Sequence, residues 1–158
     1  MKRVSAQYLS YYILSYVPSN QLKIQKLVYY CDAWHLVYFE QPLIEEDFEA
    51  WVHGPAIRSL WDLYKNKGNY FTKLHLNGEN SDKIRTYFTR VLQKEQLELM
   101  SDVLKEYGDK SSYYLETLTH NERPWIEARR GYSQSERSEV IIPKETMKEF
   151  YRTLLIEK

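Results

Sequence analysis

The stretch QLKIQKLVYYCDAWHLVYFE, residues 21–40, limits the possible folds of this chain more than any other segment. Asn20 offers an N-cap before it and Gln41-Pro42 a break after it, so one helix is expected between them. On a helical wheel its apolar side chains fall nearly all round. Only Gln21, Gln25, Asp32 and His35 gather on one narrow polar strip. A helix apolar on so many sides must be surrounded by other elements. The expected fold is therefore mainly α, at the margin of α+β: a single compact helical domain over residues 1–158, with this helix buried at its centre and a short β-hairpin beside it.

The surrounding elements can be placed from caps and periodicity. Ser5 caps a first helix running to about Tyr16, which Pro18 terminates. From Leu43 to His53 the pattern alternates imperfectly, as an acidic loop feeding a short strand would. Gly54-Pro55 then turns the chain, and proline at a first helical position predicts a helix from Pro55 to about Asn66. Tyr70 to Leu76 reads as a second short strand and NGENSD, 77–82, as a turn. Helices are expected after Ser81, from about Lys94 to Tyr107 with Gly108 as its stop, from Ser111 or Ser112 to about His120, briefly at Arg123-Pro124-Trp125, and from Pro143 onward. The polar segment 129–139 is expected to be a mobile loop.

Charge and composition exclude several functions. Lys plus Arg number 22 and Asp plus Glu number 22, so no net field draws the chain toward phosphate or anionic lipid. The basic residues, among them Lys23, Lys26, Arg123, Arg129, Arg130 and Arg137, are diluted by acids and form no dense stripe, so nucleic acid is not the expected partner. Apolar runs stop well short of a membrane span, and MKRVSAQYLSYY lacks the aliphatic stretch and cleavage site of an export signal. A lone cysteine, Cys31, suits a reducing compartment. Fifteen tyrosines, in contrast, are an excess, and the amphipathic ring serves either a core boundary or a contact surface.

No catalytic grouping is visible. His35, His53, His75 and His120 are not paired at helical ligand spacing, so no metal is expected, and with no P-loop or G-x-G-x-x-G run in the chain no nucleotide cofactor is expected either. Glu45, Glu46, Asp47 and Glu49 would suit a metal-dependent nuclease only with a lysine close behind, and Ala50, Trp51 and Val52 follow instead. Cys31 lies among Tyr30, Ala33 and Trp34, where a thiol is inert. The segment FEAWVHGPAIRSLW, 48–61, is the densest cluster of distinctive residues. It reads first as a fold-defining corner of the core that positions a protein-binding face, and second as a partner contact in its own right.

Three separated stretches carry a family resemblance: KIQKLVYYCDAWHL (23–36), PLIEEDFEAWVHGPAIRSLW (42–61) and LETLTHNERPWIEAR (115–129). Together with the closing VIIPKETMKEFY they resemble the Panacea domain of SocA-like antitoxins, also described as GepA-like phage-associated proteins. The matching motif positions are Gln25, Lys26, Tyr29, Tyr30, Trp34, His35, Glu49, Trp51, His53, Gly54, Pro55, Arg58, His120, Pro124 and Trp125. Small departures fall at Ile24, Glu40-Gln41 and Gln93. The resemblance implies a cytoplasmic, non-enzymatic antitoxin of a type II-like toxin–antitoxin system, which neutralises a protein toxin encoded nearby by direct binding. It also implies an alternative, an adaptor that delivers the toxin to a protease component; a DNA-binding regulator or a nuclease fits less well. Oligomeric state, homo-oligomers included, is left open.

Overall fold

The computed structural model of the protein describes residues 1–156. Among them are eight helices and one small sheet: α1 (Ala6–Leu14), α2 (Gln21–Phe39), β1 (Phe48–Trp51), β2 (Gly54–Ala56), α3 (Arg58–Tyr64), α4 (Gly78–Val91), α5 (Lys94–Tyr107), α6 (Ser112–His120), α7 (Arg123–Ala128), β3 (Ile141–Ile142) and α8 (Lys144–Ile156). The mainly α fold with a buried central helix is as the sequence predicts. α2 packs against α1, α3, α5, α6, α8 and β2, and every residue from Ile24 to Leu36 is buried. Fully covered side chains such as Ile24, Leu27 and Val28 each contribute about 1.5–3 kcal/mol of transfer free energy.

The polar strip of α2 is buried as well, and it binds the backbone that follows the helix. His35 Nδ1 contacts the Gln41 carbonyl oxygen. Asp32 Oδ1 accepts from the amides of Leu43 at 2.8 Å and Ile44 at 3.3 Å, while Asp32 Oδ2 receives Lys144 Nζ from α8 at 2.8 Å. Gln25 makes a two-way pair with Ile57, accepting from its amide at 2.8 Å and donating to its carbonyl at 3.1 Å. Gln21 donates to the Tyr64 carbonyl at 2.7 Å. From the C-terminal to the N-terminal end of α2, the strip therefore meets residues 41 to 64 in chain order. These carbonyls and amides belong to turns, a strand end and a helix end, and buried backbone groups of that kind need partners.

The sheet has the order β2-β1-β3 and is antiparallel throughout. β1 pairs Ala50 with Pro55 and Trp51 with Gly54 on one side, and Phe48 with Ile142 on the other. Several sequence expectations are corrected here. Pro55 does not open a helix: it lies in β2, an edge strand where a missing N–H is tolerated, and α3 begins only at Arg58. Residues 70–76 form no strand; Leu74 makes a single bridge with Ser19, and the hairpin partner of β1 is β2. NGENSD is not a turn, because Asn77 Oδ1 accepts from the Asn80 amide at 2.8 Å and caps α4. α1 ends at Leu14, two residues short of Tyr16. β3, too short to show a period, escapes sequence reading altogether.

The segment 129–139 is tied down rather than loose. Arg129 is 5% exposed and donates to the carbonyls of Ala50, Ser133 and Glu136. Aromatic rings pack together within the largely aliphatic core: Tyr30 stacks on Tyr107 with ring centres 4.1 Å apart, Tyr12 on Phe88 at 4.4 Å, and Tyr29 meets Phe48 edge-on at 5.1 Å.

Asp32 is the most exacting of these contacts, since burial pushes its pKa up while Lys144 and two amides hold it charged. Asp32→Ala strands two backbone amides and leaves the mostly covered Lys144 ammonium with only the Ile44 carbonyl, and should cost about 3–5 kcal/mol in urea unfolding. Asp32→Asn, which keeps one acceptor, should cost less.

Candidate functional site

The motif residues do not all gather in one place. One group builds a cleft of about 420 Å³ between the N-terminal half of α2, the β1–β2 hairpin, α3 and the 137–138 strand approach. Gln25, Lys26, Trp51, His53, Gly54 and Arg58 line it. Glu49 and Pro55 hold those residues from behind, and His120, Pro124 and Trp125 support the hairpin from α6 and α7. A second group lies elsewhere. Tyr29 and Tyr30 are interior, His35 is buried beneath Gln41 and Gln96, and Trp34 donates to the Tyr107 hydroxyl at 3.0 Å on another face.

The cleft follows from how the hairpin is forced against α2. Gly54 has φ +107°, a backbone conformation that side-chain-bearing residues rarely adopt. A Cβ there would also lie 2.6 Å from Lys26 Cε and 2.8 Å from Thr119 Oγ1. Glycine thus allows β2 to close on the helix, and Lys26 fills the contact, donating to the Pro55 carbonyl at 3.2 Å. Lys26 is 1% exposed, and burial lowers its pKa to about 8, with the Glu116 carboxylate pulling the other way. On the far side of the hairpin the Trp125 indole donates to the Trp51 carbonyl at 2.8 Å, and the His120 ring stacks on Trp125 with centres 4.1 Å apart. Burial lowers the pKa of His120, whose Nε2 has no partner among the described residues.

The mouth of the cleft is aromatic and cationic, with its charges already matched. Arg58 lies 4.7 Å over the Trp51 ring and donates to Glu49 at 3.1 Å and Glu139 at 3.0 Å. Glu49 also accepts from the Trp51 indole at 2.9 Å. His53 Nδ1 is 2.9 Å from Glu116 Oε1. Trp61 stands edge-on to Trp51 at 6.5 Å, and Tyr70 tilts toward His53 at 6.3 Å. Trp61, Tyr64, Tyr70, Arg137 and Ser138 are lining residues that sequence reading did not single out. Trp61 and Tyr64 fall in the helix expected from Pro55 to about Asn66, and Arg137 and Ser138 in the polar segment 129–139; that these pieces meet at one cleft is a tertiary contact.

The acidic run disperses. Glu46 accepts from the Ala6 amide at 2.9 Å, Glu45 faces Arg3 at 3.5 Å, and Glu49 belongs to Trp51 and Arg58. Among the described residues no three His, Cys, Asp or Glu side chains converge as metal ligands do, and no helix is long and apolar enough to cross a membrane. Burial raises the Cys31 thiol far above its ordinary pKa. What the cleft offers is aromatic area with fixed cationic groups at its edge, a combination suited to seating a side chain of another molecule.

Two measurements follow from this geometry. Gly54→Ala should destabilise the fold by about 1–3 kcal/mol in urea unfolding. Gly78→Ala, at a helix start with nothing within 4 Å of the added methyl, should be neutral or slightly stabilising. Lys26 also gives a pH signature. Between about 8 and 10.5 the unfolded chain holds the lysine proton and the folded chain does not, so stability rises with pH there. From about pH 8 to 9.5 the wild type should gain up to about 1 kcal/mol per pH unit relative to Lys26→Met, measured by urea unfolding across that range.

The comparisons with known proteins fall into line with the motif positions. The family described as "Antitoxin SocA-like, Panacea domain" matches residues 24–126, which takes in α2 from Ile24 onward, the hairpin, most of the cleft lining and α6 through Trp125. Comparison with curated proteins and with solved structures finds no match. A family match over well more than half of the chain, through the residues that shape the hairpin and its cleft, places this protein in the SocA-like antitoxin family that carries the Panacea domain.

Proposed function

We propose that the protein is an antitoxin that neutralises a cognate protein toxin by binding it directly, with no chemical step of its own. The observation that carries this reading is the family match across residues 24–126. The surface chemistry is in keeping with it. Protein interfaces concentrate their binding energy in a few Trp, Tyr and Arg side chains, and Trp51, Trp61, Tyr70 and Arg58 border a single cleft. Arg58 is paired with Glu49 and Glu139, so a partner can cover it without leaving that guanidinium unpaired.

The experiment is to express the neighbouring open reading frame alone and then together with this chain. The neighbour should arrest growth alone and be tolerated when this chain is present, and the two products should co-purify. A neighbour that is harmless alone, or lethal in both cases, refutes the reading for that pair. Following the neighbour's abundance separates two modes of action. Undiminished toxin in a complex means occlusion; toxin lost in a protease-dependent way means adaptor-mediated delivery.

A further inference from the structure

A wider groove of about 790 Å³ runs between α5, α6 and the C-terminal ends of α2 and α8. Its floor is apolar and includes Trp34, Phe39, Leu99, Val103, Leu118 and Leu154. One wall is a row of carboxylates: Glu95, Glu98, Asp102 and Glu106 fall at i, i+3, i+7 and i+11 of α5 and all face the groove. At 1.5 Å per residue that row is about 16 Å long, roughly three helical turns. Among the described residues only Glu98 has an ion pair, with Lys94 at 3.8 Å; Glu95, Asp102 and Glu106 have none. Among the described residues one lysine lines the groove, Lys110, and it lies 3.6 Å from Asp109.

A second feature points the same way. Glu122 lines the groove while only 7% exposed, and its contacts are two neutral hydroxyls, Tyr30 and Tyr151, both donating to Oε1 at 2.7 Å. No cation pairs with it among the described residues. Glu98 with Asp102, and Asp102 with Glu106, are like-charge i, i+4 pairs, which destabilise a helix by a few tenths of a kcal/mol each when nothing neutralises them. An apolar floor beside an acidic wall that, among the described residues, is compensated only at Glu98, in a chain of zero net charge, is complementary to one kind of surface. The cleft at Trp51 differs, because Arg58 and Arg137 at its edge are already paired with Glu49 and Glu139.

We infer that this groove docks a basic amphipathic helix: its apolar stripe lies on Trp34, Leu118 and Leu154, and its Lys or Arg side chains line up along α5, one of them reaching Glu122. That the helix belongs to the toxin rests on the antitoxin reading above; the chemistry of the groove does not.

The test uses the full chain and two synthetic helical peptides of about 18 residues, one of leucine and lysine and one of leucine and glutamate in the same amphipathic pattern. Titrated into isotope-labelled protein, the lysine peptide should shift the Trp34 indole and the α5 amide signals. The charge-reversed Glu95→Lys/Asp102→Lys/Glu106→Lys protein, which changes only exposed side chains, should keep the wild-type melting curve and bind at least about tenfold more weakly. No binding of the lysine peptide at about millimolar concentration overturns the inference, as does equal binding of the glutamate peptide, or shifts centred on Trp51 and Trp61. The same variant is then scored against the neighbouring gene product. Full neutralisation by wild type and variant alike removes the toxin from this groove and leaves the antitoxin reading intact. Failure of the wild type to neutralise, with the lysine peptide still seated, removes the antitoxin reading and leaves the groove as a receptor for basic helices.

Discussion

The chain between residues 41 and 69 is anchored at both ends and at Ile57 by hydrogen bonds from one face of α2. His35, Asp32, Gln25 and Gln21 are turn-spaced along the helix, and each holds a successive piece of the backbone that folds back over it. Lys26, one position beside this strip, adds the Pro55 carbonyl. A helix normally offers its neighbours only apolar packing, which does not specify register. A strip of buried donors and acceptors does, because a one-residue slip would leave several polar groups buried and unpaired at about 1–3 kcal/mol each. The hairpin and α3 are thereby held at one height on α2, and the cleft exists because of that.

The other buried polar centre works differently. Glu122 comes from the connection between α6 and α7 and reaches Tyr30 on α2 and Tyr151 on α8, whose hydroxyl lies 3.0 Å from that of Tyr29. One carboxylate thus joins three segments far apart in sequence. Burial pushes its pKa up, and the two hydroxyls that donate to it hold it down. Part of the tyrosine excess is explained here: Tyr29, Tyr30, Tyr107 and Tyr151 fill this part of the core with rings, and hydroxyls of Tyr30 and Tyr151 satisfy a carboxyl that apolar packing would reject, whereas others such as Tyr16, Tyr38 and Tyr113 are exposed.

The parts of the fold that were legible were those with a local cause. Ser5, Asn20 and Ser111 each accept a hydrogen bond from the amide three residues on, so the starts of α1, α2 and α6 could be read residue by residue. Asn77 does the same for α4 but was hidden in a polar, glycine-containing run that imitates a turn. Pro55 carries two compatible meanings, helix start and edge strand, and only the pairing with Ala50 chooses between them. For the site, Gly54 and the residues around it stood out by type. Their grouping with Lys26 and Gln25, and the separation of Trp34 and His35 from them, did not, because α2 is long enough for its two ends to serve different faces.

From the sequence alone came a buried central helix, the neutral charge balance and the motif positions that mark the SocA-like family, since each rests on residue type and short-range spacing. The tertiary structure decided that the strip on α2 binds backbone rather than water, that the acidic run at 45–49 is scattered among unrelated partners, and that α5 turns its carboxylates toward an apolar groove. Those outcomes depend on which surfaces meet across long stretches of chain. Hydrogen bonds and charge pairs act over a few ångströms, and sequence spacing does not report distances across a fold.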